Sequence, residues 1–429
     1  MSDIANRFAA GDLIPVDDLM AAVKDRLRAP DEGRVADTPV PIDRRQRRER
    51  PRRILTIATA AAIAAAAFLF MVQAFDSTGP LPAAPRLLVT PPAGWVPPGM
   101  LGPDGALYVT DCLDARVLRV DLDGRVTEFA GAGAGGFTNG FSGDGGPATR
   151  AHFGCPTGIG WDAAGRLFVV DHLNDRVRMI DTNGIITTIA GDLGSDLGDG
   201  GPASQAGLTQ PTYLAFSGDG SLYFVDRDAA RIRKIDSTGV ISTVVGTGRP
   251  GFSGDGGPAT QARIDTPNGL VFDAAGNLYF SDGANNRVRK VDTNGIITTI
   301  AGTGDRRLSG DGGPAVDASL ADPSGLAFDD AGNLYIADYD HNLIRVVDPA
   351  GRISTVAGTG KTSGPARYRG PALRGDIVAP ETLTFGDDGR LYITEDSDAP
   401  RVLVLNPASS TLSTLAKRCV SGAVIGTGC

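Results

Sequence analysis

The chain has 429 residues, 50 of them acidic against 41 basic, with 58 glycines and only 6% aromatics. That length buries a large core, and so much glycine beside moderate apolar content suits tight turns and short strands, not a helical α/β enzyme. From residue 76 onward 40 acidic residues face 29 basic ones, which excludes nucleic acid and anionic lipid headgroups as natural partners of that part.

Residues 1–53 are polar. Val16, Leu19, Met20, Val23 and Leu27 fall at i, i+3, i+4 and i+7 spacing and predict one short helix within residues 16–27. It reads either as a marginal helix in a mostly disordered tail or as a docking surface for a cytoplasmic partner. Residues 44–53, RRQRRERPRR, carry seven arginines and one glutamate and abut residues 54–75, a run of 22 residues without charge. Such a run spans a hydrocarbon core of about 30 Å at about 1.5 Å per residue. Arginines flush against it keep the amino terminus cytoplasmic and send the remainder across the membrane. Cleavage after a signal peptide is the competing account, since Val72, Gln73 and Ala74 have a small-x-small shape; the 53-residue leader is long for one. Residues 76–95 are rich in proline and small residues, as a stiff stalk is. Within them, residues 86–90 are placed to add a strand to the last blade of the fold that follows.

Residues 267–302, PNGLVFDAAGNLYFSDGANNRVRKVDTNGIITTIAG, write four short apolar or β-branched runs separated by Gly, Asp and Asn. This predicts a four-stranded antiparallel meander. The same pattern recurs from Pro156, Pro211, Pro323 and Pro380, and a shorter first copy opens at Pro97 or Pro98. The aspartate ending the second strand repeats as Asp111, Asp171, Asp226, Asp282 and Asp338, with Glu395 in the sixth copy. Six sheets of this size bury their faces only by packing side by side and closing a ring. The fold class is all-β, a six-bladed β-propeller over residues 96–417, with residues 418–429 as a tail.

The combination PxGLAFDxxGNLYIAD, N-x-R-[VI]-R, G-I-[IS]-T-[TV] and the AGTG/GDGGPA connector resembles the NHL repeat, in the bacterial form also seen in teneurin-type NHL domains. The resemblance implies the propeller fold and, since such propellers are mostly binding platforms, a binding role; it does not fix an activity.

Several side-chain sets are candidates for function. The connectors FSGDGGPA, LGDGGPA, FSGDGGPA and LSGDGGPA carry Asp144, Asp199, Asp255 and Asp311, and the fifth carries Arg367, Tyr368 and Arg369 in their place. These residues are assigned to a ligand face shared with the opening prolines. The aspartates offer carboxylates to a sugar or to calcium, although one short D-G-G loop supplies fewer than the six to eight oxygens calcium takes, and D-G before G-P is also ordinary turn chemistry. Asp111, Asp171, Asp226 and Asp282 have Arg116, Arg176, Arg231 and Arg287 five residues on. Each pair is expected to form a structural salt bridge across a tight hairpin. Copy five has Leu343 there and copy six slips to Arg401. His152, His172 and His341 lie in unmatched positions of different blades and do not make a zinc set. Cys112 and Cys155 fall on one face of neighbouring blades, and Cys419 and Cys429 bracket the tail; all four are disulfide candidates.

The resulting expectation is a single-pass membrane protein whose extracytoplasmic propeller binds a protein, peptide or glycan as a sensor, adhesion or scaffold module, without a cofactor. The alternative is a lyase or lactonase of the propeller kind with a metal in the central channel.

Overall fold

The computed structural model describes residues 99–417 apart from 113, 122–124, 134–139, 193–196, 363–367 and 397–400. The tail helix, the run at 54–75, the stalk with its candidate strand at 86–90, Arg367, Cys419 and Cys429 lie outside the described residues. Within them, no helix is long and apolar enough to cross a membrane.

Six antiparallel sheets form a six-bladed propeller. The first strand of each blade is innermost: Gly99–Leu101, Pro156–Trp161, Pro211–Phe216, Pro267–Phe272, Pro323–Phe328 and Pro380–Phe385. Each neighbours the next, and the sixth returns to the first, closing the ring around a central channel. The second strands, Leu107–Asp111, Leu167–Asp171, Leu222–Asp226, Leu278–Asp282, Leu334–Asp338 and Leu391–Glu395, run back so that each closing acid lies beside the start of its first strand, as Asp282 lies opposite Pro267. The start of every first strand and the end of every second strand therefore share one rim of the channel, called here the upper mouth.

Adjacent blades are held by apolar packing with a repeated aromatic contact. Tyr108 meets Trp161, Phe168 meets Phe216, Tyr223 meets Phe272, Tyr279 meets Phe328 and Tyr335 meets Phe385, all edge-to-face with ring centroids 4.8–5.1 Å apart. Such pairs add about 0.5–1.5 kcal/mol beyond the area they bury. Blade one ends its first strand with Leu101, so the seam between blades six and one has no aromatic at that position.

Two glycines let the inner strands approach. A Cβ on Gly269 would stand 2.5 Å from the Ser324 carbonyl oxygen, and one on Gly325 would stand 2.5 Å from that of Glu381. Gly325→Ala is therefore expected to cost about 1–3 kcal/mol by overpacking against backbone. Gly218→Ala, where nothing lies within 4 Å, should change stability by less than about 0.5 kcal/mol. Urea denaturation of the two variants checks this, and equal midpoints would contradict the close approach.

Candidate functional site

Repeat by repeat, the second residue after the opening proline is Gly158, Tyr213, Gly269, Gly325 and Thr382. Blade three thus puts a tyrosine where three other blades have glycine, and its side chain crosses the channel. The Tyr213 hydroxyl lies 3.0 Å from Ser324 Oγ of blade five and donates to Glu381 Oε1 of blade six at 3.4 Å. Tyr213 lines two chambers and stands between them. The lower one, about 650 Å³, is walled mainly by apolar side chains such as Ile159, Leu214, Leu270, Leu326 and Leu383. The upper one, about 120 Å³, is polar.

The upper chamber is built from two variable positions in an otherwise repetitive frame. The residue just after the opening proline supplies Thr212, Asn268, Ser324 and Glu381; the residue just after the second-strand acid supplies Arg227, Tyr339 and Asp396. Asp322, just before its proline, completes the wall. Ser324 Oγ donates to the Glu381 carbonyl oxygen at 3.0 Å, and Tyr339 donates to Asp396 Oδ2 at 2.7 Å. Burial, with Asp396 beside it, pushes the Glu381 carboxyl well above the usual carboxylate range. Burial also raises Asp322, and burial with the Glu381 charge raises the Tyr213 hydroxyl. Three polar atoms on this wall, Thr212 Oγ1, Arg227 Nε and Glu381 Oε2, are buried without a hydrogen-bond partner among the described residues. Unpaired buried polar atoms are costly, so three in one small chamber mark it as a place where something else supplies the partners.

The connector aspartates sit elsewhere. Gly145 donates its N–H to Ile186, Ile186 donates back to Gly146, and Ala148 donates to Gly184, so this GDGGPA segment pairs with the outer strand Ile186–Ala190 of blade two. The segments around Asp199, Asp255 and Asp311 repeat the pattern on blades three to five. In blade six a true strand, Arg369–Pro371, pairs with residues 411–413, and Tyr368 accepts the Thr414 N–H. The connectors thus cover the exposed outer edges of the sheets, where unpaired strands would otherwise be open to association. Asp144, Asp199, Asp255, Asp311, Tyr368 and Arg369, expected on a ligand face shared with the opening prolines, therefore lie in edge-covering segments and not among the residues that line the channel. Backbone pairing draws the connector to the outer edge of the next blade.

The ion pairs also differ from the expected ones. In blades two to four the acid pairs with the arginine seven residues on: Asp171 with Arg178 at 3.7 Å, Asp226 with Arg233 at 3.2 Å and Asp282 with Arg289 at 3.2 Å. Asp338 and Arg345 do the same in blade five at 3.2 Å. Each of these arginines is fully buried and also reaches the connector aspartate, at 2.6–2.8 Å. A guanidinium without water needs two carboxylates more than a peripheral one does. Arg176, Arg231 and Arg287 donate instead to backbone carbonyls, and Arg176 and Arg287 lie over Phe141 and Phe252 at 4.1 and 3.9 Å. Only blade one, with Leu118 at the seventh position, pairs Asp111 with Arg116, at 3.3 Å; in blade six Arg401 contacts Glu395 at 2.5 Å.

The sequence pattern of the Teneurin NHL domain matches residues 99–196, 194–252, 247–309 and 303–367. The chain belongs to the teneurin NHL domain family. Human Teneurin-4 is 32% identical over 282 residues, which cover 57% of this chain and 10% of that protein. Teneurin-m of Drosophila melanogaster is 29% identical over 281 residues, covering 60% and 10%. The match therefore spans about a tenth of these relatives. A protein of unknown function from Bacteroides thetaiotaomicron shares the fold at a TM-score of 0.53 and 19% identity, covering 76% of this chain and 71% of that one.

In this NHL propeller the three histidines are engaged separately. His152 Nδ1 meets Ser142 Oγ at 2.6 Å, His172 Nδ1 meets the Pro211 carbonyl oxygen at 2.9 Å, and His341 bridges Asp338 and the Arg306 carbonyl at 2.8 Å each. Among the described residues no three His, Cys, Asp or Glu side chains converge as metal ligands would. Cys112 and Cys155 are joined by a disulfide.

Burial pushes Asp111, Asp171, Asp226 and Asp282 up to about 6, from 3.8 in an open chain. Between pH about 4 and 6 the folded chain keeps protons that the unfolded chain has released, so stability falls as pH rises through that window and then levels. Below about 4 the trend reverses, because backbone and side-chain hydrogen bonds hold Asp181, Asp219 and Asp292 below their ordinary value. Urea midpoints are expected to peak between pH 4 and 5. A midpoint rising steadily from pH 4.5 to 7 would contradict this sign.

Proposed function

We infer that this NHL propeller is a binding module, held outside the cytoplasm by residues 54–75, and that its ligand is taken at the upper mouth of the channel. One observation carries the assignment to the mouth: the positions that differ between otherwise repetitive blades converge on one polar chamber with unpartnered buried atoms. Binding sites are concave and carry a few well-placed polar groups. The outer connectors, by contrast, repeat nearly unchanged and are occupied with edge pairing. Membrane anchoring is supported by the arginine run abutting 22 uncharged residues, and a disulfide suits an oxidising compartment. Residues 16–27 are the candidate contact for a cytoplasmic partner.

A peptide and glycan array probed with the full-length chain in detergent tests the site. Signals are expected to disappear with Arg227→Ala and Glu381→Gln and to survive Asp255→Asn. Binding that ignores both channel substitutions would refute the placement. Protease added to intact cells tests topology: the propeller should be degraded and an epitope on residues 1–43 spared.

A further inference from the structure

We propose that the upper chamber binds the paired ammonium and carboxylate of a free α-amino acid, with the carboxylate at Arg227 and Thr212 and the ammonium at Glu381. This rests on the reading of the channel mouth as the ligand site and names the chemistry it recognises.

The two walls differ in sign. Blade three presents Arg227 Nε and Thr212 Oγ1, hydrogen-bond donors with no partner among the described residues; blade six, across the channel, presents Glu381 Oε2, equally without one, on a carboxyl that burial biases toward its neutral form and that a ligand ammonium would draw back to the carboxylate. Glu381 is 7% exposed. Arg227 makes no ion pair within 4 Å among the described residues, although Glu381, Asp322 and Asp396 line the same chamber. A cation alone would satisfy Glu381 and leave Arg227 repelled; an anion alone would do the reverse. A ligand with both charges a few ångströms apart answers both walls, and ion-assisted hydrogen bonds are the strong ones.

Size and ligand set narrow the class. At about 120 Å³ the chamber is small beside ordinary ligand pockets, which suits a small amino acid. Among the described residues the acids are not gathered as metal ligands are, which favours an organic ammonium as the positive group. Tyr213 floors the chamber, separating it from the apolar cavity below, and its hydroxyl is already committed to Ser324 and Glu381 Oε1. That leaves Oε2 as the open acceptor.

Isothermal titration of the full-length chain in detergent reads the site with glycine and L-alanine, and with methylammonium and acetate as the two halves. Both amino acids are expected to bind, each half at least about tenfold more weakly. Arg227→Met should weaken glycine about tenfold to a hundredfold without weakening methylammonium; Glu381→Gln should do the same to glycine without weakening acetate. Thr212→Val, which keeps every charge, should give a smaller loss and serves if a charge variant unfolds. No heat from either amino acid would overturn the proposal, as would methylammonium binding as tightly as glycine. If amino acids fail while array ligands still require Arg227 and Glu381, the channel remains the site and only the ligand class falls.

Discussion

Arg289→Met will lower the unfolding free energy by about 3–5 kcal/mol, whereas Arg287→Met, two residues away on the same strand, will cost about 1 kcal/mol. Arg289 is fully buried, with Nη1 at 3.2 Å from Asp282, itself fully buried, and Nη2 at 2.7 Å from Asp255. Methionine fills most of the space but leaves Asp282 buried without its cation, and an uncompensated carboxylate is the expensive outcome of breaking such a group. Arg287 loses only carbonyl hydrogen bonds and its contact with Phe252, an interaction of about 0.5–1 kcal/mol at a surface. Asp282 already has its proton affinity raised by burial, so the loss in the Arg289 variant should shrink at pH 5, where the orphaned carboxyl is neutral. Chemical denaturation at pH 7 and pH 5 checks both points. Equal costs for the two arginines, or a loss at Arg289 that grows on acidification, would show that the buried bridge does not hold the blade.

Blade number, strand order and the Cys112–Cys155 bond were legible because each follows from where Pro, Asp, Gly and Cys stand in a repeating frame. The partner of the buried acid was not. Arg287 lies directly opposite Asp282 in the strand register, which is the pairing that hairpin geometry alone selects. What overrides it is depth: Arg289 is fully buried, and the connector aspartate arrives from 34 residues away. That contact depends on how the connector folds back on the outer edge, a tertiary fact that no local spacing states. The channel site was missed for a different reason. Attention to what repeats leads to the connectors, while the site sits where the repeats disagree. P-T-G, P-T-Y, P-N-G, P-S-G and P-E-T are in plain view, and a tyrosine at the position where Gly269 and Gly325 leave no room for a Cβ signals that something crosses the channel.

Reducing the Cys112–Cys155 disulfide, or replacing both residues with serine, will destabilise the chain by about 3–4 kcal/mol, and blade one will loosen first. The bond closes 43 residues of sequence separation, which in the chain-entropy account constrains the unfolded state by about that amount. Its position concentrates the effect. Blade one has a first strand of only three residues and ends it with Leu101, so its seam with blade six lacks the aromatic pair that marks the next five seams. It also lacks the buried arginine bridge, having Leu118 at that position and an Asp111–Arg116 pair in its place. With its weaker seam on one side, blade one depends on its attachment to blade two, and the disulfide supplies that attachment at the upper mouth, from the residue after Asp111 to the residue before Pro156. Hydrogen exchange with and without reductant should show new exposure in the strands of residues 99–130 well before those of blades three to five. If reduction leaves the unfolding midpoint unchanged, or exchange rises evenly around the ring, blade one is held by its packing alone.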